Sequence, residues 1–155
     1  MIPSARLLCG ALLMAGLSTA LLPSQVLAQP EGKRLGIGVV VGGFSGASFK
    51  YHVATDGLVD AIDLHVSLEI GSDLATMGHV LHEQPLPDSP LTLLAGIGVV
   101  FEHRDDSAAY GSSGTLGFLF EKYRFDVFMQ VFPQVIFGPD MDSRLRWSVG
   151  IRYFF

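Results

Sequence analysis

Apolar and polar positions alternate with a period of two through most of the chain beyond residue 34. The clearest run is the last, where Leu145, Trp147, Val149, Ile151, Tyr153 and Phe155 alternate with Arg144, Arg146, Ser148, Gly150, Arg152 and Phe154. That period puts neighbouring side chains on opposite faces of a β-strand. The same split recurs upstream. Ile62, Leu64, Val66, Leu68 and Ile70 stand against Asp63, His65, Ser67 and Glu69, and Leu93, Ala95, Ile97, Val99 and Phe101 against Leu94, Gly96, Gly98, Val100 and Glu102. Phe125, Val127, Met129, Val131 and Val135 oppose Asp126, Phe128, Gln130 and Gln134, and Phe49, Tyr51 and Val53 oppose Ser48, Lys50 and His52. Leu35, Ile37, Val39 and Val41 face away from Gly36 and Gly38, and Leu116, Phe118 and Phe120 from Thr115, Gly117 and Glu121. The stretch from Leu74 to His82 fits either register.

Turn-forming residues separate the runs at Gly42 to Gly46, Thr55 to Gly57, Gly71 to Asp73, Gln84 to Pro90, Arg104 to Ser113, Glu121 to Tyr123 and Gly138 to Asp140. The pattern predicts an all-β fold: eight antiparallel strands in an up-and-down meander. Pro133 falls inside the seventh strand, where it removes a ladder hydrogen bond, so a bulge is expected there.

Such a meander closes either as a soluble barrel with its apolar side inward or as a membrane barrel with its apolar side on lipid. The bore of an eight-stranded barrel is only just wide enough for side chains. Trp147, Tyr153, Phe155, Phe118, Phe120, Phe101, Phe125, Phe49 and Tyr51 overfill it, whereas glycine, serine, glutamine and paired charges suit it. The expected fold is therefore an eight-stranded transmembrane β-barrel with its arginines in the lumen. A slip of the last strand by one residue would carry Arg144, Arg146 and Arg152 into lipid, at about 2 to 4 kcal/mol each near mid-bilayer. In this reading the last strand pairs with the first, so that no edge stays open in lipid. Tyr153 and Phe155 would mark one membrane interface and Trp147 the other. Both chain ends would lie in the periplasm.

The N-terminal segment points to export. Arg6, the uncharged apolar stretch from Leu7 to Leu22, and the small-residue spacing of Val26, Leu27 and Ala28 match a secretory signal cleaved after Ala28, which leaves the barrel as residues 29–155. Cys9 lies within that signal, so no disulfide is available to the mature chain. Composition adds little more. The formal charge is −5, with no basic patch of the kind nucleic acid would favour. Beyond the signal, the longest mainly apolar run, Leu91 to Phe101, is too short for a spanning helix.

Several motifs resemble a family of small bacterial outer-membrane barrels with spirochaete members. They are Gly36-Ile37-Gly38, Gly43-Phe44-Ser45-Gly46-Ala47-Ser48, the run from Asp126 to Pro133 and the ending from Val149 to Phe155. The architecture is also similar to the membrane domains of OmpA and OmpX. The resemblance implies a barrel fold without an assigned activity. Phe44 to Ser48 stands where family members tend to carry Pro-Thr-Gly-Leu-Ser. The outward-alternating final strand ending in Phe155 resembles the C-terminal signal read by the outer-membrane barrel assembly machinery.

Four groups carry candidate chemistry. His65 and Ser67 share one face with Asp63 and Glu69, and an acid, histidine and serine in one row could activate a hydroxyl nucleophile. The pair resembles the His-x-Ser of outer-membrane lipid A deacylases, but those enzymes work from the outer wall, whereas the alternation turns His65 and Ser67 into the lumen. His79, His82 and Glu83 could approach a metal around a turn, although two imidazoles lack a third spaced ligand. Asp105 and Asp106 are too few carboxylates for calcium. The arginines have the best physical case. Pairing about the Gly138 to Asp140 turn sets Asp126 beside Arg152, with Gln130 and Gln134 on the same face and Glu121 on the neighbouring strand.

The sequence therefore predicts a lumenal network of Asp63, His65, Glu69, Glu121, Asp126, Gln130, Arg144, Arg146 and Arg152 that plugs the bore. The expected role is structural or surface-interacting, in the bacterial outer membrane, as a monomer. Its expected partners are outer-membrane lipid and the assembly machinery, with no nucleic acid, metal or cofactor and no enzymatic activity. A small porin-like channel, a lipid-modifying enzyme around His65 and Ser67, and a soluble periplasmic lipocalin-like binding barrel are the alternatives.

Overall fold

A computed structural model describes residues 34–53, 57–68, 74–104, 107–137 and 141–155. Eight strands follow one another: β1 (Leu35–Gly42), β2 (Gly46–His52), β3 (Ala61–Leu68), β4 (Leu74–Pro85), β5 (Leu91–Arg104), β6 (Ser107–Lys122), β7 (Phe125–Phe137) and β8 (Asp142–Phe154). Each pairs antiparallel with its neighbours in the chain, and β8 returns to β1, closing an up-and-down barrel. The proposed signal, residues 1–28, lies outside the described residues, as do Glu69, Asp105, Asp106 and the Gly138 to Asp140 turn.

The strands alternate as the sequence predicts. Val39, Ile97, Val99, Phe118, Met129, Leu145 and Trp147 point out and are exposed. Lys50, Asp63, His65, Asp126, Gln130 and Arg152 point in and are at most 1% exposed. The ambiguous stretch also settles: Ala75, Met77, His79 and Leu81 face the interior.

Three local expectations change. The span from Arg104 to Ser113, read as a connection, is largely strand, because β5 and β6 pair as far as Arg104↔Ser107. Likewise β4 runs through Gln84 to Pro85, which pairs with Thr92. Pro133 causes no bulge. The β6–β7 register is unchanged from Ser113↔Gln134 to Leu116↔Val131, and only the pairs between are missing. Gly114 lies opposite Pro133, and a side chain there would meet the pyrrolidine Cγ at 3.3 Å, so the missing Cβ leaves room for the ring.

The interior is more apolar than expected. Phe44, Phe128, Phe132, Met77, Leu94, Leu119 and Val100 are buried with Val40, Ala75 and Ile136 in one cluster inside the barrel. Two glycines make this possible. Gly150 leaves the space that the Phe128 ring fills. Gly42, at φ +139°, starts the hairpin that turns Phe44 inward, and a Cβ there would meet the Trp147 ring at 2.9 Å.

The two mouths differ. At the mouth carrying Leu35 and Phe154, β4 runs on beside β5 to Pro85, past the Ala61↔Leu81 pair at which β3 begins. At the far mouth, β5 to β8, of 14, 16, 13 and 13 residues, reach beyond β1 and β2, of 8 and 7.

Candidate functional site

The charged lumen is organised around Arg152, which β8 projects inward opposite Asp126 of β7. Its Nη2 donates to Asp63 Oδ1 and Oδ2 at 2.8 and 2.7 Å, its Nη1 to Asp126 Oδ2 at 3.5 Å and its Nε to Ser48 Oγ at 2.7 Å. The guanidinium carbon lies 3.7 Å from the centre of the Phe128 ring, a cation–π contact in a desolvated setting. Asp63 also accepts from Gln130 Nε2 at 3.2 Å and meets His65 Nε2 at 3.1 Å.

Lys50 completes the cluster. Its Nζ pairs with Glu83 Oε1 and lies 3.9 Å from Asp126 Oδ2, and His52 Nε2 is 3.6 Å from Glu83 Oε2. Two fixed cations thus meet three carboxylates from five strands. A buried charge is tolerated only when it is paired and hydrogen-bonded, so the cluster binds opposite walls to each other and fills the bore.

A second, smaller cluster sits toward the far mouth. Arg144 Nη1 and Arg146 Nη2 donate to Glu102 Oε2 and Oε1 at 2.9 and 2.7 Å, and Arg144 Nε donates to Asp142 Oδ2 at 2.6 Å. Between the two clusters lie the aromatic layer and two neutral pairs. His79 Nε2 is 3.0 Å from Ser113 Oγ, and Gln134 Nε2 reaches Met77 Sδ at 2.7 Å.

The expected single network is therefore two. Asp63, His65, Asp126, Gln130 and Arg152 come together, whereas Arg144 and Arg146 belong to the other cluster. Glu121 joins neither and is exposed. β5 stops at Leu91 opposite Phe120, so Glu121 lies at the rim, flanked by β7 alone, and reaches water. Lys50, Glu83 and Glu102 are members that sequence reasoning missed. The inward parity of Lys50 and Glu102 was legible, whereas that of Glu83 follows a stretch that fits either register, and the partners of all three lie on strands that are not neighbours in the sheet.

His65 and Ser67 are both fully buried and face the lumen. The histidine spends Nε2 on Asp63, and Ser67 Oγ has no hydrogen-bond partner, so the row is not wired as a relay. The His65 ring is enclosed by Phe44, Phe132 and Phe128, with centroids 6.1, 5.5 and 6.2 Å away. His79 and His82 do not converge, because β4 continues through them and sends them to opposite faces. His82 Nδ1 pairs with Asp60 Oδ2 at 2.8 Å. Among the described residues no group of three or more His, Cys, Asp or Glu is placed to hold a metal ion.

On the outside, Tyr153 packs edge-on against Phe125 and Phe155, each at 5.1 Å, and its hydroxyl accepts from Arg124 Nη1 at 3.2 Å. Trp147 stands midway along β8 beside the first hairpin, while Tyr110 and Phe137, 6.0 Å apart, flank the far mouth.

Comparison with known proteins returns nothing: no family model, no curated protein and no solved structure matches this chain.

Proposed function

We propose that this chain is an integral outer-membrane β-barrel with a sealed lumen, exported by a cleaved signal and serving a structural or surface-interaction role without a cofactor or catalytic activity. The observation that carries the reading is the inversion of the fold. Val39, Val99 and Leu145 are 59%, 68% and 72% exposed, while Lys50 and Arg152 are 1% exposed. In water an apolar exterior of this extent invites aggregation, whereas lipid solvates it. The ring of Phe125, Tyr153 and Phe155 with Arg124 suits one membrane interface, and Tyr110 with Phe137 the other.

The lumen supports a plug over a pore, since Phe44, Phe128 and Phe132 fill it between two ion clusters. The uncoupled Ser67 speaks against the lipid-modifying reading. The motif resemblance supports membership of the small-barrel family.

Fractionation of expressing cells tests the reading. The protein should stay with outer membranes through carbonate extraction and should show no steady openings in a planar bilayer. Release by carbonate would refute the integral assignment, and stable conductance would replace the plug with a channel.

A further inference from the structure

The turn between β6 and β7 holds a tyrosine where glycine is usual. Lys122 pairs with Phe125, which leaves Tyr123 and Arg124 as a two-residue loop. The favoured loops of that length need a positive φ at their first residue, and Tyr123 supplies it at +60°. A bulky side chain rarely adopts that region and glycine does so freely. Strain of this kind concentrates at functional places.

The neighbours of Tyr123 show what it could serve. Leu116, Phe118 and Phe120 point out of β6, and the same parity puts Lys122 on the outer face at the rim. Its Nζ lies 5.8 Å from the centre of the exposed Tyr123 ring. Arg124 Nη1 donates to the hydroxyl of Tyr153, two strands away on the same outer face. Among the described residues neither Lys122 nor Arg124 is ion-paired, whereas Lys50, Arg144, Arg146 and Arg152 all are. Glu121, the adjacent acid, has the opposite parity and stands in register with inward Asp126.

Charge is also uneven around this mouth. The connection from β2 to β3 and that from β4 to β5 contain Asp60 and Asp88 and no lysine or arginine. A belt that only sets depth in the membrane has no reason to gather its cations at one turn. Here both flank Phe125, an outward ring that packs on Tyr153.

These groups are donors. One guanidinium N–H of Arg124 is spent on Tyr153, four remain, and Lys122 and the Tyr153 hydroxyl have protons to give. Guanidinium and ammonium groups side by side suit a phosphodiester, and the apolar wall of Phe120 and Phe125 beside them suits acyl chains. A zwitterionic headgroup would bring a third cation beside the two, so the match is to a net negative lipid.

We propose that Lys122, Tyr123, Arg124 and Tyr153 form a headgroup site for an anionic glycerophospholipid of the periplasmic leaflet. Lys122 and Arg124 hold the phosphodiester, and the Tyr123 ring stands at the headgroup level beside it. This names the lipid class that the proposed outer-membrane barrel takes at one site, and it rests on that reading for the orientation of the mouth.

The test is native mass spectrometry of the full mature chain, refolded in micelles doped with equal amounts of phosphatidylglycerol and phosphatidylcholine, counting the lipid each barrel retains. Phosphatidylglycerol should be preferred by about tenfold, and Lys122→Gln or Arg124→Gln should each weaken its retention by about fivefold. Arg34→Gln removes an equal charge from the same mouth and should leave retention unchanged. Tyr123→Gly relieves the backbone, so it should keep or raise the thermal midpoint while weakening retention, which a merely structural tyrosine would not do.

Equal retention of the two lipids overturns the inference, as does an equal loss with Arg34→Gln, which would reduce the effect to net charge. Displacement of the lipid by an equimolar amount of inorganic phosphate overturns it too, by leaving a bare anion contact. If Tyr123→Gly fails to fold, the three glutamine variants still decide. A chain that folds without detergent would instead refute the barrel reading, so the two failures are distinguishable.

Discussion

Arg152 and Asp63 meet inside the barrel from β8 and β3, with one guanidinium nitrogen 2.7 and 2.8 Å from the two carboxylate oxygens. Neither strand neighbours the other in the sheet order. The pair therefore ties two separate stretches of wall together, and its value depends on both partners being present.

Removing either partner strands a buried charge. Arg152→Met or Asp63→Asn alone should destabilise the barrel by about 3 to 5 kcal/mol, and the double variant by less than the sum of the two. Denaturant midpoints in micelles check this. Additive losses would mean that the two residues do not interact as described.

The far cluster separates a buried acid from an exposed one. Glu102→Gln removes the carboxylate shared by Arg144 and Arg146 and should lower the unfolding midpoint, by an amount on the order of 1 to 3 kcal/mol. Asp142→Asn, at an exposed position, should leave the midpoint in place. Similar losses for both would show that burial is not what makes the contact count.

Gly150 and Phe128 form a matched pair. A Cβ at position 150 would enter the space of the Phe128 ring and approach the Val39 carbonyl at 2.7 Å. Gly150→Ala should cost about 1 to 3 kcal/mol by overpacking. Adding Phe128→Leu should recover part of that loss, measured by thermal unfolding in micelles. An unaltered Tm for Gly150→Ala would contradict the packing.

How much of this was legible in the sequence follows from the range of each interaction. Strict alternation in β3, β7 and β8 revealed which side chains share a face, and the Gly138 to Asp140 turn fixed Asp126 opposite Arg152 because the pairing is local. The outer half of β6 escaped because Gly111, Ser112, Ser113 and Gly114 carry no apolar contrast. Lys50 with Glu83 and Arg152 with Asp63 escaped because strand order alone does not say which inward residues meet across a bore. The inward parity of Phe128 was legible, but the room for its ring was not, because that room comes from Gly150 on the neighbouring strand.

The outer surface offers a test of its solvent. Ile97 lies on the outer face of β5 and is 57% exposed. Ile97→Arg should cost about 2 to 4 kcal/mol in a lipid bilayer. Exposed to water, the same change would be close to neutral. Unfolding of the variant in vesicles distinguishes the two.

The central claim is that the apolar face meets lipid, and electrophoretic mobility tests it most directly. The mature chain, refolded in detergent micelles, is run in SDS with and without boiling. A compact band that boiling converts to a slower one, and that forms only with detergent, is the predicted result. A chain that stays folded and soluble without detergent would contradict it.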